Sequence, residues 1–138
     1  MGDQVDRDAI LFANEAFYRA FAGRNFAAMD DLWAKNGPVA CIHPGWGPLT
    51  GRAEVMASWE AILNHPSQPA VTCHAPVVQV HGDTAYVLCF EEVGGTFLLA
   101  TNIFIRDGGV WRMVHHQAGP TSAVPPRQEA ETGAGRPN

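Results

Sequence analysis

Between Pro66 and Val71 the hydrophobic rhythm of this chain changes from a period of about 3.6 residues to one of about 2, and no single type of element spans such a switch. Upstream, Ile10, Ala13, Phe17 and Phe21 recur at helical spacing, which predicts a helix over Ala9–Ala22 with Asp8 as its N-cap and Gly23 as a left-handed stop. Asn25 can cap a second helix bearing Phe26, Met29, Leu32 and Trp33, which Asn36-Gly37-Pro38 ends. Val39–His43 then alternates as a strand, Pro44-Gly45-Trp46-Gly47-Pro48 reads as a rigid loop, and a third helix follows Gly51. That helix carries Val55, Met56, Trp59, Ile62 and Leu63 on one face and closes at His65-Pro66. Downstream, Val71–His81, Thr84–Val93, Phe97–Arg106 and Val110–Ala118 are β-rich runs joined by short glycine-bearing turns, which favour hairpins over crossovers. Helices first and an antiparallel meander afterwards predict an α+β fold with the helices on one face of the sheet.

The 138 residues suit one domain, expected over 1–120; beyond Pro120 the chain is nearly devoid of apolar residues and predicts a flexible tail over 121–138. A net charge of −5 leaves no basic excess to displace counterions from phosphates, so nucleic acid is not an expected partner. No run of about eighteen apolar residues exists to span a membrane, and no secretory signal is evident. Cys41, Cys73 and Cys89 are odd in number, lack C-x-x-C spacing and lie in apolar strand runs. They read as reduced core thiols, with a cytoplasmic location as the expectation.

Four segments carry a family resemblance: Cys41-Ile42-His43-Pro44-Gly45-Trp46; Gly51-Arg52 leading to Ser58-Trp59; Ala100-Thr101-Asn102-Ile103-Phe104; and Trp111-Arg112-Met113-Val114-His115-His116. In this order over residues 8–120 they resemble the SnoaL-like group of the NTF2-like superfamily. The resemblance implies a cystatin-like cone. A bent sheet would wrap the first helix around a small-molecule pocket, and the outer sheet face would pair with a second copy in a homodimer. It leaves three readings open: a binding protein for a small apolar ligand, an acid–base enzyme of isomerase, dehydratase or polyketide-cyclase type, and a non-catalytic association module.

In the isomerases of this superfamily a carboxylate base precedes a proline after the second helix; here that position reads His43-Pro44, and an imidazole there can still move protons. The alternative is an ordinary strand-end histidine bonded to a carbonyl. Regular alternation on the last strand places Trp111, Met113, His115 and Gln117 on one face and Arg112, Val114, His116 and Ala118 on the other. By resemblance the set containing His116 and Val114 faces the cavity with Asn102, whose amide would donate to an oxyanion. His115 then goes to the outer face with Trp111 and Met113, unless a bulge inverts the assignment, in which case His115 becomes the ligand-binding histidine. Phe17 stands near the isomerases' first-helix tyrosine position, with Tyr18 about 100° around the helix and out of reach. One of Glu91 and Glu92 must face inward on a regular strand; Glu91 is the candidate acid–base partner, although two solvent-facing glutamates are the commoner arrangement. Trp46 is a candidate pocket lip. The adjacent histidines diverge and no second pair has ligand spacing, so no metal site is expected. Phosphate-loop and nucleophile-elbow motifs are absent from the sequence, and no cofactor is expected.

Overall fold

The computed structural model describes residues 2–126. Helix α1 spans Gly2–Ala22 and α2 spans Phe26–Leu32. Strands β1 (Ala40–Ile42) and β2 (Leu49–Thr50) precede α3 (Arg52–Asn64), and β3 (Val71–His81), β4 (Thr84–Val93), β5 (Thr96–Asp107) and β6 (Val110–Pro120) complete the chain. The six strands form one sheet in the order β2-β1-β6-β5-β4-β3. Its pairs are antiparallel except β1 on β6, which run parallel.

The first helix begins well before Ala9, so Asp8 lies inside it and is not its cap. Tertiary partners hold these polar first turns: Arg106 grips both carboxylate oxygens of Asp6 at 2.8 and 3.0 Å, and Arg7 donates to the Val78 carbonyl at 2.8 Å. At the other end the left-handed residue is Arg24 (φ 54°), not Gly23. Gly23 serves close approach instead, since a Cβ there would sit 3.1 Å from the Arg19 carbonyl oxygen. Asn25 caps α2 as expected, its Oδ1 accepting from Ala28 N at 3.0 Å. Between the Pro44–Pro48 loop and α3 lies β2, which sequence reasoning missed because a two-residue strand has no periodicity to detect.

Two bulges shape the sheet. In β3, Ala75 and Pro76 oppose the single residue Cys89, and Ala75 takes φ 54°. In β6, Ile103 pairs with His115 and Phe104 with Met113, leaving Val114 as an extra residue. Each bulge bends its strand and resets the alternation beyond it. Consequently Trp111 and Met113 face the core together with His116 and Ala118. This corrects the expectation that Trp111 and Met113 lie outside. The core between helices and sheet is built on Phe17, Trp33, Trp59, Met29 and Phe104, all fully buried. The indole N–H groups of Trp33 and Trp59 are buried there without acceptors.

Residues 121–126 follow β6 without regular structure; the expected tail over 127–138 lies outside the described residues. Among the described residues no helix is long and apolar enough to cross a membrane.

Candidate functional site

The end of β1, the ends of β4 and β6 and the third helix converge on a cavity of about 300 Å³ whose polar wall is His43, Glu91 and His116. Apolar side chains including Phe21, Ile62, Val71 and Leu98 complete it, and Trp46, 48% exposed, stands at its rim. His43 follows β1 directly and is held over the cavity by Trp59 and Trp46, whose rings lie 4.8 and 4.9 Å from its own. The His43 and His116 rings are 6.4 Å apart.

Hydrogen bonds fix the tautomer of each imidazole. Ser58 Oγ spends its one hydrogen on the Val55 carbonyl at 2.7 Å, so it can only accept from His43 Nε2, 2.9 Å away. His43 is therefore protonated on Nε2, and its Nδ1 carries the lone pair. His116 Nδ1 lies 2.6 Å from Asn102 Oδ1, an obligate acceptor, so His116 is protonated on Nδ1 and its Nε2 carries the lone pair. That Nε2 is 3.8 Å from Glu91 Oε2. The same carboxylate oxygen accepts from Tyr18 OH at 2.6 Å, and Tyr18 OH accepts in turn from Asn102 Nδ2 at 3.3 Å. Asn102 Nδ2 also donates to Asn14 Oδ1 at 2.8 Å, tying the network to α1.

Burial sets the protonation states. Desolvation lowers His43 to about 4. It also lowers His116, to about 3, with smaller contributions from the neighbouring His43 and His115. Both imidazoles are thus neutral near neutral pH. Desolvation raises the Glu91 carboxyl, against the Tyr18 hydrogen bond, which lowers it. Burial and the charge of Glu91 drive the Tyr18 phenol well above its ordinary value, so it remains a donor. The Glu91–His116 contact therefore involves a neutral imidazole, despite its ion-pair spacing. Such a wall can accept hydrogen bonds and pass a proton between Glu91 and His116.

Of the residues expected from sequence, His43, His116, Glu91 and Trp46 share this cavity. Glu91 is buried at 2% exposure, which reverses the expectation of a solvent-facing pair; Glu92 alone points outward, to His74 at 2.8 Å. Asn102 is fully buried with both ends of its amide engaged within the protein, so it positions His116 and Tyr18 and is not a free oxyanion donor. Phe17 is walled in behind His116, with ring centroids 4.9 Å apart, and does not line the cavity. Val114 and His115 lie on the opposite side of the sheet, along an outer groove with Ile103 and Val39. The bulge at Val114 is the cause, since it shifts Val114 out of phase with His116. Sequence reasoning underrated Tyr18 and missed Asn14 and Ser58. Tyr18 reaches the network because Glu91 and Cys89 on β4 come to it across the sheet. The signal for Ser58 was its place three residues after Val55 on the buried face of α3.

Among the described residues no group of three or more histidine, cysteine, aspartate or glutamate side chains is arranged to hold a metal ion.

A solved structure from Streptomyces avermitilis, provisionally assigned as a dehydratase of the NTF2-like family, superposes with a TM-score of 0.79 at 33% identity, covering 88% of this chain and 99% of the other. A second from Thiobacillus denitrificans, provisionally assigned as a calcium/calmodulin-dependent protein kinase type II association domain, gives 0.70 at 35% identity over 80% of this chain and 93% of that one. The F-box protein SKIP8 of Arabidopsis thaliana is 31% identical over 112 residues, which are 80% of this chain and 48% of the plant protein, so the chain spans about half the length of that relative. With the family model of the SnoaL-like domain matching residues 10–122 on this cone-shaped α+β scaffold, the chain belongs to the SnoaL-like group of the NTF2-like superfamily.

Proposed function

We propose that this protein binds a small, largely apolar molecule in the cavity walled by His43, Glu91 and His116. The observation that carries this reading is the cavity's composition: mostly apolar sides with convergent polar atoms at one wall, on a scaffold where the polar groups are held by buried partners. A second reading, an acid–base enzyme, draws on the 3.8 Å approach of His116 Nε2 to Glu91 and on the similarity to the structure assigned as a dehydratase. In that case His43 Nδ1 is the base and the Tyr18–Glu91 pair supplies or accepts the second proton.

His43→Gln separates the two. It keeps a hydrogen-bonding side chain and removes titration near neutrality. A binding protein changes its ligand affinity by about 1 kcal/mol, the net worth of one hydrogen bond. An enzyme loses about a hundredfold or more in turnover with affinity nearly intact.

A homodimer through the outer sheet face is part of the proposal, on a different basis from the one the sequence suggested. With Trp111 and Met113 inside, the outer face instead presents Val77, Leu88 and Leu99 at 43–53% exposure, with Phe90, Phe97 and Ile103 beside them. Sedimentation as a clean monomer at micromolar concentration would remove it. The three free cysteines accord with a reducing, cytoplasmic setting.

A further inference from the structure

The cavity wall is uneven in a way that selects ligand chemistry. Each lining histidine has spent its one N–H inside the protein, His43 on Ser58 and His116 on Asn102, so each can only accept; the nearest protein groups to those lone pairs are the weakly donating Cys41 thiol, 3.9 Å from His43 Nδ1, and Glu91 Oε2, 3.8 Å from His116 Nε2. Glu91 receives Tyr18 on Oε2, and its Oε1 has no hydrogen-bond partner among the described residues. The remaining polar liner, Gln68, donates one amide N–H to the Pro69 carbonyl at 3.1 Å, which leaves its other N–H and its carbonyl oxygen for a ligand. Among the described residues no lysine or arginine lines the cavity. Arg24 approaches the same loop but is tied to the carbonyls of His65, Pro66 and Gln68.

The result is a wall made mostly of acceptors beside one carboxyl group, with Phe21 and Trp46 alongside. An anion would meet acceptors and no cation, and a carbonyl would meet few donors. A primary ammonium has three N–H donors, one each for Glu91 Oε1 and the two imidazole nitrogens. It is drawn to the faces of aromatic rings, and its positive charge offsets the cost of ionising a buried carboxyl.

We infer that the cavity is built for a small apolar molecule carrying a primary ammonium group, with Glu91 as its counter-ion and His43 Nδ1 and His116 Nε2 as its hydrogen-bond acceptors. The inference rests on the proposed ligand-binding role of this cavity and adds the class of ligand. Burial keeps Glu91 reluctant to ionise alone, so the carboxylate and the ammonium enter the cavity as a coupled pair.

The test compares three isosteric probes by calorimetry on the full chain at about pH 7, where an alkyl amine is protonated: benzylamine, benzyl alcohol and sodium benzoate. Benzylamine is expected to bind at least about tenfold more tightly than the alcohol, with benzoate weakest. Glu91→Gln should abolish that preference while leaving affinity for the alcohol within about threefold. If Glu91→Gln does not fold, Tyr18→Phe removes the donor that stabilises the carboxylate, together with the longer 3.3 Å bond from Asn102, and should weaken benzylamine alone by about threefold or more. Equal or tighter binding of the alcohol or benzoate overturns the ammonium inference and leaves the ligand-binding reading standing. Benzylamine affinity unchanged in both variants also overturns it. Failure of all three probes to bind at millimolar concentration overturns the ligand-binding reading and this inference together.

Discussion

Strand β4 carries two consecutive glutamates, and each meets a histidine, on opposite faces of the sheet. Glu92 and His74 are 2.8 Å apart and about 40% exposed, whereas Glu91 and His116 are 3.8 Å apart and almost wholly buried. The outer pair has the better distance and the smaller consequence. Water screens it, and such pairs contribute about 0–1 kcal/mol. The inner pair is largely desolvated, so its protonation is set by burial and by the hydrogen bonds that Tyr18 and Asn102 supply. The same two residue types therefore make a screened surface contact on one face and a buried, networked pair on the other. Burial and a supporting network decide which, and interatomic distance does not.

The sharpest way to stress this contrast is acid. His43 and His116 in the folded protein lie at about 4 and about 3, below the ordinary imidazole value of 6.5. Below pH 6.5 the unfolded chain thus binds more protons than the folded one. The stability these neutral imidazoles contribute is complete above 6.5 and is lost as pH falls towards 4 and then 3. Glu91 acts in the opposite sense, because its raised folded value costs stability as pH rises above its usual 4.5. Two histidines outweigh one carboxyl, so chemical denaturation should show stability falling on acidification from neutrality, each imidazole contributing up to about 1.4 kcal/mol per pH unit. His43→Gln should visibly flatten that slope. A wild-type slope already flat would mean that water reaches the inner pair.

A middle-sized effect is expected from the network itself. Asn102→Ala leaves the His116 N–H and the Asn14 carbonyl oxygen without their partner, and unsatisfied buried groups cost about 1–3 kcal/mol each. Denaturant titration should show a loss of several kcal/mol, much more than a surface amide deletion gives. Ser58→Ala should cost about 1 kcal/mol and release the His43 tautomer, which ¹⁵N shifts of the imidazole would reveal as a mixture of Nδ1–H and Nε2–H forms. Glu92→Gln is the control on the outer face, expected to change stability by less than about 1 kcal/mol. A loss equal to that of Asn102→Ala would erase the distinction between the two faces.

What the sequence revealed follows the same division. Periodicity reported which elements exist, since it records which side of each element faces the core; the three helices and four long strands were legible on that basis. The convergence of His43 and His116 was legible because a chain position and a strand phase sufficed to place them. Strand phase made Glu91 a candidate, but its burial and its pairing with Tyr18 were not legible, because burying a carboxylate depends on a donor 73 residues away, and no local pattern encodes that pairing. Phase was the other failure. Trp111 and Met113 were placed outside because alternation was carried unbroken through Val114, where the strand holds one residue more than its partner.

That extra residue makes an unusual form of tolerance available to the chain. Removing Val114 would turn Trp111, Met113, His116 and Ala118 into a regular alternating series, with Arg112, His115 and Gln117 between them on the other side. Every side chain would keep its face, and the ladder against β5 would close without a gap. Only the bend would be lost, and with it the curvature that carries the end of β6 over the cavity. A shortened protein of this kind should fold yet hold a flatter sheet and a narrower pocket. The expected result is a residue the fold can spare but the space beside β6 cannot.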